Sequence, residues 1–307
     1  MKNNTVCTAG DVNYLWGLFL LIASMRKSGM DEPVLAGVKH FTPEARRVLE
    51  QFGDVRFLNL DSVNRSLTCL KGEIMLAAEN DFLTWCDSDA LFTGNCSARL
   101  PPLEKGFAHA RLRSAAEMPG AFRGYDLREI LPQWQRDIAA LAKAKPVETM
   151  TPEKFRSCPG CYLSVGIESR HYLEVWDRRM KKVLPDRDRG VVDFSLRCYH
   201  QLDESCMNAC FVYLEDAPTV AEEFRLDKVP AEYYAHFIGA PKPWRGWNRR
   251  AVAHFDTVVS IVEWAEREKL LLPGPVPYSL RREHKLFCEL AAGPVEFWTK
   301  ARRKLGL

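Results

Sequence analysis

Short apolar runs alternate with longer periodic segments through the first third of the chain, and this alternation predicts strands separated by helices. The run Thr5-Val-Cys-Thr-Ala9 reads as a strand. After Gly10-Asp11-Val-Asn13 a helical pattern continues to Ser28-Gly29, with Asn13 as its N-cap and Gly29 as its C-cap. A strand is expected at Pro33 to Val38, a helix opening on Thr42-Pro43-Glu44 with proline in its first turn, and a strand at Val55 to Leu60. That β-α-β-α-β order predicts parallel pairing. A helix from about Leu67 to Glu79 then leads into a strand at Phe82 to Cys86.

The second half is less regular. Strands are expected near Phe107 to Leu112, Cys161 to Val165 and Tyr233 to Phe237. Helices are expected at Leu127 to Lys143, Ser169 to Val183, Glu204 to Phe211 and Ala251 to Lys269, the last with an apolar stripe of Val258, Val259, Val262 and Ala265. The polar segment Leu184 to Gly190 reads as an exposed loop. From Leu272 the Pro-Gly-Pro-Val-Pro277 segment breaks the pattern, which divides the chain into residues 1–272 and a tail of 273–307. The tail carries Arg281, Arg282, Lys285, Lys300, Arg302, Arg303 and Lys304 among Leu286, Phe287, Leu290, Phe297 and Trp298. It reads either as an amphipathic segment for an anionic membrane surface or as a helix packed on the main domain with a solvated basic face.

Composition narrows the class. The 307 residues are 47% hydrophobic, enough for a large packed core. Lys and Arg number 43 against 40 Asp and Glu, and a formal charge of +3 is too balanced for nucleic-acid binding by bulk electrostatics. The apolar run Tyr14 to Met25 is too short to span a bilayer, which takes about 20 residues. Lys2 precedes it, but Asp11 intervenes and no small-residue cleavage site follows, so a buried helix is expected there and not a signal peptide. The 10 cysteines sit in apolar contexts without the spacing of a secreted disulfide scaffold, which points to a reducing cytoplasm.

Chemistry enters where the strand Phe82-Leu-Thr-Trp-Cys86 runs into Asp87-Ser88-Asp89. Residues i and i+2 of an extended segment face the same side, so both carboxylates aim at one point, and a hard divalent cation is the simplest partner. The loop is not an EF-hand, because Leu91 stands where a third oxygen ligand belongs. The acids fall at the carboxyl end of a strand, the edge at which open α/β sheets bind ligands. Far downstream, His236-Phe-Ile-Gly239-Ala-Pro-Lys242-Pro-Trp244 supplies an imidazole, a glycine permitting close backbone approach and a cation, the groups a metal diphosphate needs. One nitrogen with carboxylate and phosphate oxygens suits Mn²⁺ or Mg²⁺ better than zinc.

The ordered set Thr8-Ala-Gly-Asp11-Val-Asn13-Tyr14, Cys86-Asp87-Ser-Asp89, Leu202-Asp203-Glu204-Ser-Cys-Met-Asn208 and His236 to Trp244 resembles glycosyltransferase family 8, which includes glycogenin and bacterial lipopolysaccharide glucosyl- and galactosyltransferases. The resemblance spans Thr5 to Trp244. It implies an α/β GT-A fold, with a Rossmann-like mixed central sheet flanked by helices and, here, a helical C-terminal extension. It further implies a UDP-sugar donor, Mn²⁺ with Mg²⁺ as the alternative, and hexose transfer with retention to a saccharide or lipid-linked glycan. Carried over, Asp87, Asp89 and His236 become metal ligands and Lys242 a diphosphate ligand. Asp11 and Asn13 contact the uridine, Tyr14 stacks on uracil, and Ala9, Ser88 and Gly239 complete the donor contacts. Lys71 falls near a basic residue that the family uses on the donor sugar. Asp203 and Glu204 are the candidates for the carboxylate beneath that sugar. The expected location is cytoplasmic, or peripheral at the inner face of the membrane.

Two positions depart from the family pattern: Glu204, where Asp-Gln is commoner than Asp203-Glu204, and Cys158-Pro-Gly160-Cys161, where relatives have an Asn-Ala-Gly-like turn. The Cys158-x-x-Cys161 pair, with Cys206 and Cys210, also supports a zinc-stabilised or thiol-redox protein. A non-catalytic sugar-nucleotide-binding protein is a third reading.

Overall fold

The computed structural model describes residues 3–102, 104–184, 194–221 and 233–305, the side chains of 194 and 303–305 excepted. The loop expected at Leu184 to Gly190 lies, from residue 185 on, outside the described residues. The chain begins with β1 (Asn4–Asp11), a 3₁₀ turn at Val12–Tyr14 and α1 (Leu15–Lys27). It continues through β2 (Val34–Lys39), α2 (Pro43–Glu50) and β3 (Val55–Asn59) to a 3₁₀ turn at Leu67–Leu70 and α3 (Lys71–Leu76). Then come β4 (Phe82–Cys86), β5 (Ala90–Phe92), β6 (Phe107–His109), α4 (Met118–Ala121), α5 (Leu127–Ala139) and β7 (Tyr162–Gly166). Last are α6 (Arg170–Val183), α7 (Asp203–Tyr213), β8 (Thr219–Val220), β9 (Tyr234–His236), α8 (Phe255–Arg267) and α9 (Lys285–Leu305).

Seven strands form one mixed sheet in the order β3-β2-β1-β4-β7-β6-β8, in which β3 to β4 run parallel and β7 lies antiparallel to both its neighbours. This is the mixed, helix-flanked sheet that the sequence implied. Alternate side chains feed two cores, as the strand period requires. Val6 and Cys86 pack with α1, α2 and α8, whereas Cys7, Leu83 and Trp85 pack with α3, α5, α6 and α7. Helix α1 is buried on nearly all sides because it lies between this sheet, β5 and α8, which explains why its sequence shows an apolar block and not a stripe.

Helix ends correct two expectations. Asp11, and not Asn13, caps the first turn: its Oδ1 accepts from the backbone N–H of Tyr14 at 3.1 Å. The helix expected over Leu67 to Glu79 begins as a 3₁₀ turn and becomes α-helical only at Lys71. Gly29, at φ +73°, does close α1, with the Met30 N–H reaching back to the Met25 carbonyl as in a Schellman turn.

The periodicity missed two short strands, β5 and the edge strand β8, and β5 builds the site. β5 pairs antiparallel with β9 in a separate two-stranded sheet, with Ala90 opposite His236. Three residues are too few to show a period in sequence.

Candidate active site

Where β4 ends, its pairing with β7 runs one residue further: the Asp87 N–H donates to the Cys161 carbonyl at 3.1 Å. The chain then turns through Ser88 and Asp89 into β5, whose partner β9 carries His236. The Phe237 N–H donates to the Asp89 carbonyl at 2.8 Å, locking the two segments together. Asp87, Asp89 and His236 thereby bring ligand atoms within 4.8 Å of one another, the single such group among the described residues. His236 Nε2 lies 3.2 Å from Asp89 Oδ1 and 3.7 Å from Asp87 Oδ2. Two hard oxygens and one imidazole nitrogen fit a Mn²⁺- or Mg²⁺-like cation.

Charge is balanced tightly around these groups. Burial alone would raise the Asp89 carboxyl, but the adjoining His236 and the Lys242 ammonium outweigh it and hold Asp89 below the usual carboxylate range. The same contact holds His236 well above its ordinary value against the opposing effect of burial. Lys242 also donates to the Phe237 carbonyl at 2.8 Å, and Gly239 at φ +87° makes the turn between them.

Lys71, at the start of α3 and nearly fully buried, is the hub on the other side. Its Nζ lies 2.9 Å from Asp87 Oδ1 and 2.9 Å from Asp203 Oδ2, and donates to the Gly160 carbonyl at 2.6 Å. A Cβ at 160 would come within 2.6 Å of Asp203 Oδ2, so a larger residue there would displace that carboxylate. Trp85 Nε1 donates to Asp87 Oδ1 at 2.7 Å, giving that strand tryptophan a polar role the sequence did not reveal.

Asp203 and Glu204 open α7 after Leu202, whose backbone sits at φ +52°, ψ −119°, a region costing a non-glycine residue about 1–3 kcal/mol. The bend puts the two acids in different surroundings. Burial raises Asp203 to about 6 despite the opposing pull of Lys71. Glu204 is gripped by Arg113, with contacts of 2.5 and 3.0 Å to its two oxygens. Asn208, one turn along, accepts from the Cys158 N–H at 2.7 Å and donates to the Cys158 carbonyl at 2.8 Å and the Glu204 carbonyl at 2.7 Å. Arg113 and Asn208 were not read as site residues; their partners are 91 and 50 positions away.

Asp87, Asp89, His236, Lys242, Lys71, Trp85, Gly160, Asp203, Glu204 and Arg113 border one cleft of about 2060 Å³, with Asn208 behind them. Of the residues expected at the site, Ala9, Asp11, Tyr14, Lys71, Asp87, Ser88, Asp89, Asp203, Glu204, His236, Gly239 and Lys242 line it. Asn13 does not line it: its side chain donates to Asp11 at 3.3 Å and its carbonyl accepts from Arg245. Tyr14 stands edge-on to Trp244 at 5.6 Å, which fixes the ring at the cleft wall.

Among the described residues the cysteines join no metal-ligating group, and Cys161 of the Cys158-x-x-Cys161 pair lines the cleft. Cys158, Cys206 and Cys210 are buried free thiols raised by that burial, Cys158 to about 12, so none is a ready thiolate.

No described protein family matches the sequence, and no curated protein does. Solved structures share its fold. The apo structure of the bifunctional glycosyltransferase WbbM matches 94% of this chain at 12% identity, with a TM-score of 0.54. The glycosyltransferase GlyE of Streptococcus pneumoniae TIGR4 matches 88% at 14% identity and 0.53, and an active-site mutant of LgtC matches 86% at 13% identity and 0.50. The chain spans 52% of the WbbM chain, 64% of GlyE and 95% of LgtC. The fold is the GT-A arrangement of these glycosyltransferases.

Proposed function

We propose that this chain is a glycosyltransferase of the family 8 type, which moves a hexose from a UDP-sugar to a saccharide or lipid-linked glycan with retention of configuration. One observation carries the reading: the Asp87, Asp89 and His236 cluster, Lys242 and Asp203 converge on one cleft at the carboxyl edge of a GT-A sheet. The cleft is large enough for a nucleotide sugar together with an acceptor, since a single small ligand takes roughly 300–1000 Å³.

A Mn²⁺ or Mg²⁺ ion at the cluster would offset the charge that develops on the departing diphosphate. Lys242 would add a second positive charge beside it. Ala9, Asp11 and Tyr14 border the part of the cleft next to β1 and would hold the nucleoside. Lys71 fixes Asp87 and Asp203 at one spacing, so that Asp203 presents a buried carboxylate to the oxocarbenium-like carbon of the donor sugar. The test is a donor panel read as UDP release. Release from at least one UDP-hexose is expected, stimulated by Mn²⁺ and abolished by EDTA; no release from any donor, or release indifferent to EDTA, would overturn the reading.

Residues 273–307 form the extension to this domain. Helix α9 turns Cys288 and Ala292 into the core and leaves Leu286, Phe287, Leu290, Phe297 and Trp298 all more than half exposed on another face. The extension holds seven Lys and Arg against three Glu, while residues 1–272 hold 36 against 37. An exposed aromatic face with a local positive charge suits the anionic surface of a membrane's inner face. No described helix is long and apolar enough to cross a membrane. Cosedimentation with vesicles containing phosphatidylserine is expected, weaker with neutral vesicles and lost when the chain is truncated after Pro277; equal binding by the truncated chain would remove the membrane role.

A further inference from the structure

Most cations that line the cleft already face an acid. Lys71 lies between Asp87 and Asp203, Arg113 holds Glu204, Lys242 meets Asp89, and Arg111 pairs with Glu117. Arg249 and Arg250 differ. Both line the same cleft, both are exposed, and neither guanidinium has an ion-pair partner among the described residues. Glu296 accepts from the Arg249 backbone N–H at 3.1 Å and pairs with Lys300; the Arg249 charge also acts on it, but the guanidinium makes no ion pair with it.

Their position is built into the fold. Asn248, just before them, is only 3% exposed. Its Nδ2 donates to the carbonyls of Ile238 at 3.1 Å and Pro241 at 3.2 Å, and its Oδ1 accepts from the N–H groups of Arg250 at 3.0 Å and Ala251 at 2.9 Å. One buried amide thus ties the arginine pair to the segment between His236 and Lys242. On the far side, a Cβ at Gly293 of α9 would meet Arg249 Nε at 2.8 Å, so the guanidinium rests in the notch that this glycine leaves. Ile238, half exposed at 50%, and Gly239 line the cleft along with the pair. His254, lowered by burial, and Thr257 extend the same wall.

Lys242 is matched by Asp89, and Asp87 and Asp89 would offset the two charges of a divalent cation, so the arginine pair is exposed positive charge that the cleft holds uncommitted, on the Asn248 turn and not on the acidic cluster. We infer that Arg249 and Arg250 form an anion subsite for the acceptor, a saccharide bearing a phosphate or carboxylate near the hydroxyl that receives the sugar. The inference rests on the glycosyl-transfer reading. Planar guanidinium groups grip such anions through paired N–H bonds, which a neutral hydroxyl cannot match.

The probes are glucose, glucose 6-phosphate and glucuronate, titrated calorimetrically into protein saturated with UDP and Mn²⁺. Binding of UDP and Mn²⁺ is measured first on the wild type; its absence would defeat the donor reading itself, separately from this one. At low salt one or both charged sugars are expected to bind at least tenfold tighter than glucose, and comparison of the two distinguishes phosphate from carboxylate. That preference should vanish in Arg249→Ala/Arg250→Ala, return in part in Arg249→Lys/Arg250→Lys, and shrink as NaCl is added. Thermal denaturation checks that both variants fold. Equal binding of charged and neutral sugars, binding of none, a preference that survives the double alanine variant, or a loss of UDP affinity in that variant with the sugar preference intact would overturn the inference.

Discussion

Asp89→Asn is expected to lower metal-stimulated UDP release by about 10³-fold while the protein still folds, an effect of the size that follows loss of a charge-stabilising group in an active site. Asp89 meets both His236 and Lys242, and its carbonyl anchors β9 through the Phe237 N–H. The backbone anchor survives the substitution. The charge does not, and two cations are then left facing a neutral amide, so a divalent ion must enter a site that has become net repulsive. Titration of Mn²⁺ with the variant should show affinity reduced at least tenfold, with an unchanged far-ultraviolet circular dichroism spectrum. Normal Mn²⁺ affinity together with lost turnover would move Asp89 out of the metal site.

The second large effect separates the two acids of α7. Asp203→Asn is expected to reduce turnover by about 10³-fold, and Glu204→Gln by less than tenfold. Glu204 is already neutralised by two contacts to Arg113, and a glutamine can still accept one of them. Asp203 has no such grip: it shares Lys71 with Asp87, and burial raises it to about 6 from an ordinary 3.8. A folded-state value above the unfolded one means that the native protein binds the proton more tightly. The associated stability is present below about pH 4 and is lost as pH rises through 6. Two units correspond to about 3 kcal/mol. Asp203→Asn cannot titrate, so its melting temperature in the absence of metal should gain on the wild type between pH 4 and pH 7, even though the variant is inactive. If the two melting temperatures moved in parallel across that range, the buried carboxylate would not be the titrating group.

What the sequence revealed follows the range of the interactions. Parallel strands, the proline-started α2 and the Asp87-x-Asp89 strand end each depend on neighbours a few residues away, so their residue types declare them. The imidazole and lysine of His236 to Lys242 were legible for the same reason. Arg113 was not, because an arginine looks alike whether it faces water or grips an acid 91 residues away; Trp85 and Asn248 bond groups within ten residues, but a tryptophan in a strand and an asparagine in a turn have commoner roles as core and cap. The first cap shows the limit even at short range. Asp11 and Asn13 are equally good N-caps by type, and only the extended backbone at Asp11 decides between them.

The small sheet of β5 and β9 carries a further consequence, for folding. It joins positions 90 and 236, a closure spanning roughly half the chain, and late long-range closures of this kind govern how slowly a topology assembles. Until it forms, the aspartates have no histidine beside them and a cation would bind them only weakly. A bound ion would therefore stabilise the completed chain over any partly assembled form, by about 2.7 kcal/mol at a hundredfold excess over its dissociation constant. In this protein the cation would act as a seal on the finished topology as well as a participant in chemistry.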